Sequence, residues 1–137
     1  MRRVFLSGAI RGGRRLAGMY RFMADVMIDA GLEVLSEHVA EKNVFSREED
    51  MTEEEIFLRD MDGIERCDCM VAEVSVPSTG VGYEICLAVG LKKPVLCVYE
   101  QGAKVSAMVL GNKEVDALSY GDIDELRDRV LEFVASV

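Results

Sequence analysis

Met70-Val71-Ala72-Glu73-Val74 runs into Ser75-Val76-Pro77-Ser78-Thr79-Gly80-Val81-Gly82, after which Tyr83 to Leu91 carries a single charge, Glu84. A short, nearly continuous apolar run suits a strand covered on both faces. The Pro/Ser/Gly cluster marks a loop, and the longer segment behind it reads as a helix. Working outward, the same order recurs. Val4 to Leu6, Glu33 to Leu35 and Val95 to Val98 read as buried strands, with a weaker fifth over Val115 to Leu118. Amphipathic segments fall at Leu16 to Ala30, Glu53 to Arg66, Val81 to Leu91 and Ile123 to Ala135, with a short one near Ser106 to Leu110. Such alternation predicts an α/β fold: a doubly wound (Rossmann/flavodoxin-like) domain with a five-stranded parallel sheet, order 2-1-3-4-5, and helices on both faces. Thr52 with Glu55 has the form of a capping box, and Gly31 stands where a helix C-terminal glycine belongs. The polar stretch Ala40 to Asp50 is expected to be a mobile loop.

At 137 residues the chain has the length of one domain, taken as residues 1–137. Half the residues are apolar and 30% are charged, which excludes disorder and collagen-like composition. The net charge of -9 argues against a nucleic-acid polymer or a membrane surface as partner. Six arginines and no acid lie within residues 1–21 (Arg2, Arg3, Arg11, Arg14, Arg15, Arg21), which suggests a small anion bound at that end. Cys67, Cys69, Cys86 and Cys97 form no C-x-x-C pair and have one histidine to help them, so neither a metal site nor a cofactor is expected. With no signal peptide or membrane span in view, a cytoplasmic location is expected.

In an open α/β sheet, ligands bind beyond the carboxyl ends of the strands where the winding reverses. That rule selects Ser7-Gly8-Ala9-Ile10-Arg11-Gly12-Gly13 after the first strand and Ser75 to Gly82 after the third. The glycines of the first loop offer backbone N–H groups to an anion, with Arg11 as a positive fork. The spacing is neither G-x-G-x-x-G nor Walker A. Glu84 is a carboxylate among apolar neighbours near a helix start, where it can complement the helix dipole or act at the crevice. Asp60 falls inside the apolar stripe of Ile56, Phe57, Met61 and Ile64. Desolvation there is expected to raise its pKa and make it a proton donor, unless it is held in a buried salt bridge. His38 is either a strand-end residue or a base or sugar contact. Asp68 reads as structural, and Met19, Met23 and Met27 as core at helical spacing.

Gly8-Ala9-Ile10-Arg11-Gly12-Gly13, Ser36-Glu37-His38-Val39, Val71-Ala72-Glu73-Val74, Pro77-Ser78-Thr79-Gly80-Val81-Gly82-Tyr83-Glu84 and Val105-Ser106-Ala107-Met108, in this order, resemble the nucleoside 2-deoxyribosyltransferase superfamily. Within it they are most similar to the 2'-deoxynucleoside 5'-phosphate N-hydrolases. The resemblance implies a metal-free N-glycosidase that cleaves nucleoside 5'-monophosphates to free base and (deoxy)ribose 5-phosphate. Glu84 would be the charged nucleophile and Asp60 the protonated second acid. It implies that Gly8, Ile10, Arg11, Gly12, Ser78 and Gly80 hold the 5'-phosphate. It also implies a homodimer in which Ser106 and Met108 act on the neighbouring subunit's site. Phe5 stands where these hydrolases usually carry tyrosine and Ala9 where they carry serine, which leaves ribo- and deoxyribonucleotides, CMP among them, both open. Two alternatives stand beside this reading: a deoxyribosyltransferase that exchanges bases, and a nucleotide-binding sensor without catalysis.

Overall fold

Five parallel strands, β1 (Arg3–Ser7), β2 (Glu33–Val34), β3 (Cys69–Glu73), β4 (Val95–Glu100) and β5 (Asp116–Tyr120), form one sheet in the order β2-β1-β3-β4-β5. The computed structural model describes residues 2–10, 15–41 and 44–137, the side chains at 45–47 excepted. The expected fold class and strand order are therefore those of the molecule. The strand ends shift by one or two residues: β2 is only two residues long, and β5 begins at Asp116 rather than Val115.

Alternation along the strands divides the core between two faces. On one face Val4, Leu6, Val71, Leu96 and Val98 pack against α1 (Ala17–Asp29) and α6 (Ile123–Ser136). Met23 and Met27 are fully buried in that layer, which answers the sequence pattern with packing. On the other face Phe5, Met70, Ala72, Val95 and Cys97 meet Ile64 of α3 (Glu53–Arg66), Val81, Ile85 and Ala88 of α4 (Thr79–Gly90), and Val109 of α5 (Ala107–Leu110).

Local chemistry sets the helix ends. The Thr52 hydroxyl accepts the Glu55 N–H while the Glu55 carboxylate accepts the Thr52 N–H, a reciprocal capping box. At the end of α1, Gly31 at φ +90° lets its N–H reach the Ile28 carbonyl and the Leu32 N–H reach that of Met27, the two bonds of a Schellman motif. Asp68 accepts the Arg3 N–H at 2.7 Å and so joins β1 to the entry of β3. The segment Ala40 to Asp50 differs from the expected loop. It contains α2 (Val44–Glu49), anchored by Val44 and Glu48, both buried. Val44 and Glu48 stand one turn apart, and with one of the two charged they make no apolar stripe.

Gly63 is fixed by contact: a Cβ there would stand 2.9 Å from the Phe5 ring. Gly63→Ala should therefore push α3 off β1 and cost about 1–3 kcal/mol in urea unfolding. Gly18→Ala, with nothing within 4 Å of its added carbon, should be neutral or mildly stabilising.

Candidate active site

The winding reverses between β1 and β3, and a cluster of polar side chains lies at their carboxyl ends. Ser7, the last residue of β1, points to the α3/α4 face and its Oγ donates to Glu84 Oε1 at 2.8 Å. Glu84 lies in the second turn of α4. That helix is capped by Ser78, whose Oγ accepts the Val81 N–H. Asp60, from the middle of α3, comes into side-chain contact with Glu84. Asp60 Oδ1 accepts Arg59 Nε at 2.9 Å and faces His38 Nε2 at 3.5 Å. Arg59 Nη2 in turn donates to the buried Glu48 at 2.6 Å, which docks α2 onto the site.

The charge is distributed opposite to the expectation from sequence. Burial pushes Asp60 upward, but the His38 and Arg59 side chains more than offset it and hold its carboxyl below the usual range. Glu84 is pushed up to about 8, chiefly by desolvation and then by the Asp60 charge, with the Ser7 hydroxyl pulling the other way. Two carboxyls in contact cannot both ionise cheaply, and the cation sits on one side of the pair. At rest the shared proton is therefore on Glu84 and Asp60 is the anion. The sequence pattern placed Asp60 among apolar residues but did not show that its own neighbour Arg59 folds back onto it.

The other expected residues distribute as follows. His38 lies in a short 3-10 turn (Glu37–Ala40) and belongs to the carboxyl cluster, with its Nε2 buried. Gly8 is required where it is: a Cβ would meet the Tyr20 ring at 2.8 Å, and Tyr20 Oη accepts the Ala9 N–H at 3.1 Å. Gly80 has open space around it, with Ser78 Oγ 3.9 Å from its would-be Cβ. Phe5 is 1% exposed and stacked on Gly63, so it forms the floor under the site rather than its wall. Arg11 and Gly12 lie outside the described residues, as does Arg14. The four described N-terminal arginines are engaged: Arg2 with the Val137 carbonyl, Arg3 with Asp68, Arg15 with Glu100, and Arg21 with Asp25 and Glu37.

Ser106 and Met108 stand apart from the carboxyls. They line a groove of about 400 Å³ along the far side of α4, with Val76, Ser78, Gly82 and Cys86. Sequence reasoning missed Arg59, Glu48 and Tyr20, and placed Ser7 in the first loop without giving it a role. Arg59 could have been found as the base next to an acid in an apolar stripe, and Tyr20 as a member of the helical series with Met23 and Met27. Glu48 gave no such signal. Among the described residues no group of acids, histidines and cysteines is arranged to hold a metal ion, and no helix is long and apolar enough to cross a membrane.

A doubly wound sheet with a carboxyl pair at its switch point has the two acids that a glycosidase or glycosyltransferase uses. The comparisons narrow the class. Residues 4–119 match the family model described as nucleoside 2-deoxyribosyltransferase, and the chain belongs to that family. A Methanosarcina barkeri protein named "Putative 2'-deoxynucleoside 5'-phosphate N-hydrolase 1" is 53% identical, over 98% of this chain and 86% of its own length. The 5-hydroxymethyl-dUMP N-hydrolase of Tetraodon nigroviridis is 38% identical over 95% of this chain and 94% of its own. Among solved structures, the CMP N-glycosidase of Clostridium botulinum superposes with a TM-score of 0.71 over 96% of this chain and 99% of that one, at 21% identity, a likeness of fold.

The protonated Glu84 has a measurable consequence. Its folded pKa of about 8 lies above the ordinary 4.5, so the folded state binds the proton more tightly than the unfolded one. The resulting stabilisation is present at low pH and is lost as pH rises through that window. Thermal melting between pH 5 and pH 9 should show wild type losing more stability than Glu84→Gln, whose amide does not titrate.

Proposed function

We propose that the protein is an N-hydrolase of nucleoside 5'-monophosphates that releases the free base and (deoxy)ribose 5-phosphate. The observation that carries this reading is the contact between Glu84 and Asp60 at the switch point, with Arg59 and His38 on Asp60 and Ser7 on Glu84. The names of the relatives, each a nucleotide N-hydrolase, support the same reaction. Direct contact leaves no room between the carboxyls for the water that an inverting glycosidase needs, which favours the retaining course.

In that course the 5'-phosphate is held by backbone and hydroxyl donors of Gly8, Ile10, Ser78 and Gly80, joined by Arg11 and Gly12. The proton that rests on Glu84 passes to Asp60 and on to the base. The freed Glu84 oxygen bonds to C1' as the C–N bond breaks and its electron pair leaves with the base. Water then attacks C1' with Asp60 as base, the C1'–O bond to Glu84 breaks, and the sugar phosphate departs. Ser7 steadies the Glu84 carboxylate while it is charged.

The assembly is a homodimer in this reading, with Ser106 and Met108 reaching the partner's phosphate site. Met108 is 85% exposed, and Phe57 and Tyr83 form an exposed edge-to-face pair on α3 and α4. The four free thiols support a reducing, cytoplasmic setting.

Incubation with a panel of ribo- and deoxynucleoside 5'-monophosphates should release free base without an acceptor. Base exchange only in the presence of a second base would make the protein a transferase, and binding without product would make it a sensor. Glu84→Ala should lower kcat by about 10³-fold or more while nucleotide binding survives. Intact turnover in that variant would remove Glu84 as nucleophile.

A further inference from the structure

Behind the carboxyl pair, on the α1/α6 face of the sheet, lies a second buried acid that the reaction does not use. Glu73, the last residue of β3, is 1% exposed and pairs in register with Val98 of that core. Its Oε1 accepts the Ser75 N–H at 2.6 Å. Its Oε2 accepts the Ser75 hydroxyl at 2.8 Å and the Tyr120 hydroxyl at 2.5 Å. Ser75 Oγ also accepts the Glu100 N–H at 2.8 Å, and the Glu100 carboxylate pairs with Arg15 at 3.0 Å, just before α1.

Ser75, Glu100 and Tyr120 sit at strand ends from which the chain departs, and Arg15 sits just before α1. Val74 makes the last ladder bond of β3, to the Val98 carbonyl. At Ser75 the chain leaves the sheet for the turn that ends in the Ser78 cap. Burying a carboxylate against neutral donors is costly, and an apolar side chain would fill the same space with less penalty. What the carboxylate alone supplies is three directional bonds that fix where the chain turns.

We infer that Glu73, with Ser75 and Tyr120, is the positioning device of the anion cradle. It fixes the Ser75 to Gly80 loop and, through Glu100 and Arg15, ties that loop to the start of α1. The inference rests on the reading above that these loops hold the 5'-phosphate. Glu73 touches no substrate atom and acts through Ser75.

The test is steady-state kinetics on Glu73→Gln and on Tyr120→Phe, the milder variant, which keeps its ring in the core. Both should raise KM for the nucleoside 5'-monophosphate about tenfold with kcat within about twofold of wild type, and weaken inhibition by inorganic phosphate by the same factor. Inhibition by the free base should not move. A folded variant that loses melting temperature but keeps both KM and phosphate inhibition would reduce the network to a structural role and overturn the inference. So would a fall in kcat as large as the rise in KM. Wild-type protein that turns over no nucleotide would instead refute the nucleotide reading itself, and it would do so without any variant.

Discussion

Two carboxyl groups, delivered by different helices, meet where the winding of a parallel sheet reverses, and each limits the charge of the other. Arg59 and His38 stand on the Asp60 side, and the Ser7 hydroxyl donates to Glu84. The asymmetry makes Asp60 the anion and leaves the proton with Glu84. In the proposed reaction the group that attacks the sugar thus begins as the acid, and the proton it gives up is the one the leaving base requires. A single proton serves both halves of that proposed reaction.

The fold supplies the meeting point through ordinary packing rules. Residues of β1 alternate, so Leu6 enters the α1/α6 layer while Ser7, one residue later, faces α4. Gly63 lets α3 lie against Phe5 closely enough to bring Asp60, one turn earlier, over the end of β1. Tyr20 does for the first loop what Gly63 does for α3: its ring demands a glycine at position 8 and its hydroxyl holds the next amide. On the opposite face Glu73 and its donors tie the remaining strand ends. One face of the sheet carries the carboxyl pair of the proposed reaction, and the other holds the Glu73 network at the ends of the strands.

The first four strands and the longer helices were legible because each is strongly apolar or strongly periodic. The capping box at Thr52 and the glycine at position 31 were legible because their partners are only three or four residues away. Glu84 and Asp60 stood out as charges in apolar surroundings, and the structure brings them together. Their protonation was not legible. It depends on Arg59, on His38 about twenty residues earlier in the chain, and on a contact between two helices, none of which is encoded in local spacing. The short helix at Val44–Glu49 escaped for a related reason, since its role is to place Glu48 against Arg59 and only tertiary packing shows that. Glu73 was hidden by its setting within a buried strand, although a lone acid in such a run is itself a signal that the fold must satisfy it with donors.

Carbon NMR of selectively labelled glutamate, with Glu84→Gln used to assign the resonance, reads the central claim directly. The Glu84 carboxyl should titrate with a midpoint near 8 in the wild-type protein and move down toward the ordinary 4.5 in Asp60→Asn, where the neighbouring charge is gone. A wild-type midpoint already near 4.5, or one that Asp60→Asn leaves in place, would show that the two carboxyls do not share a proton.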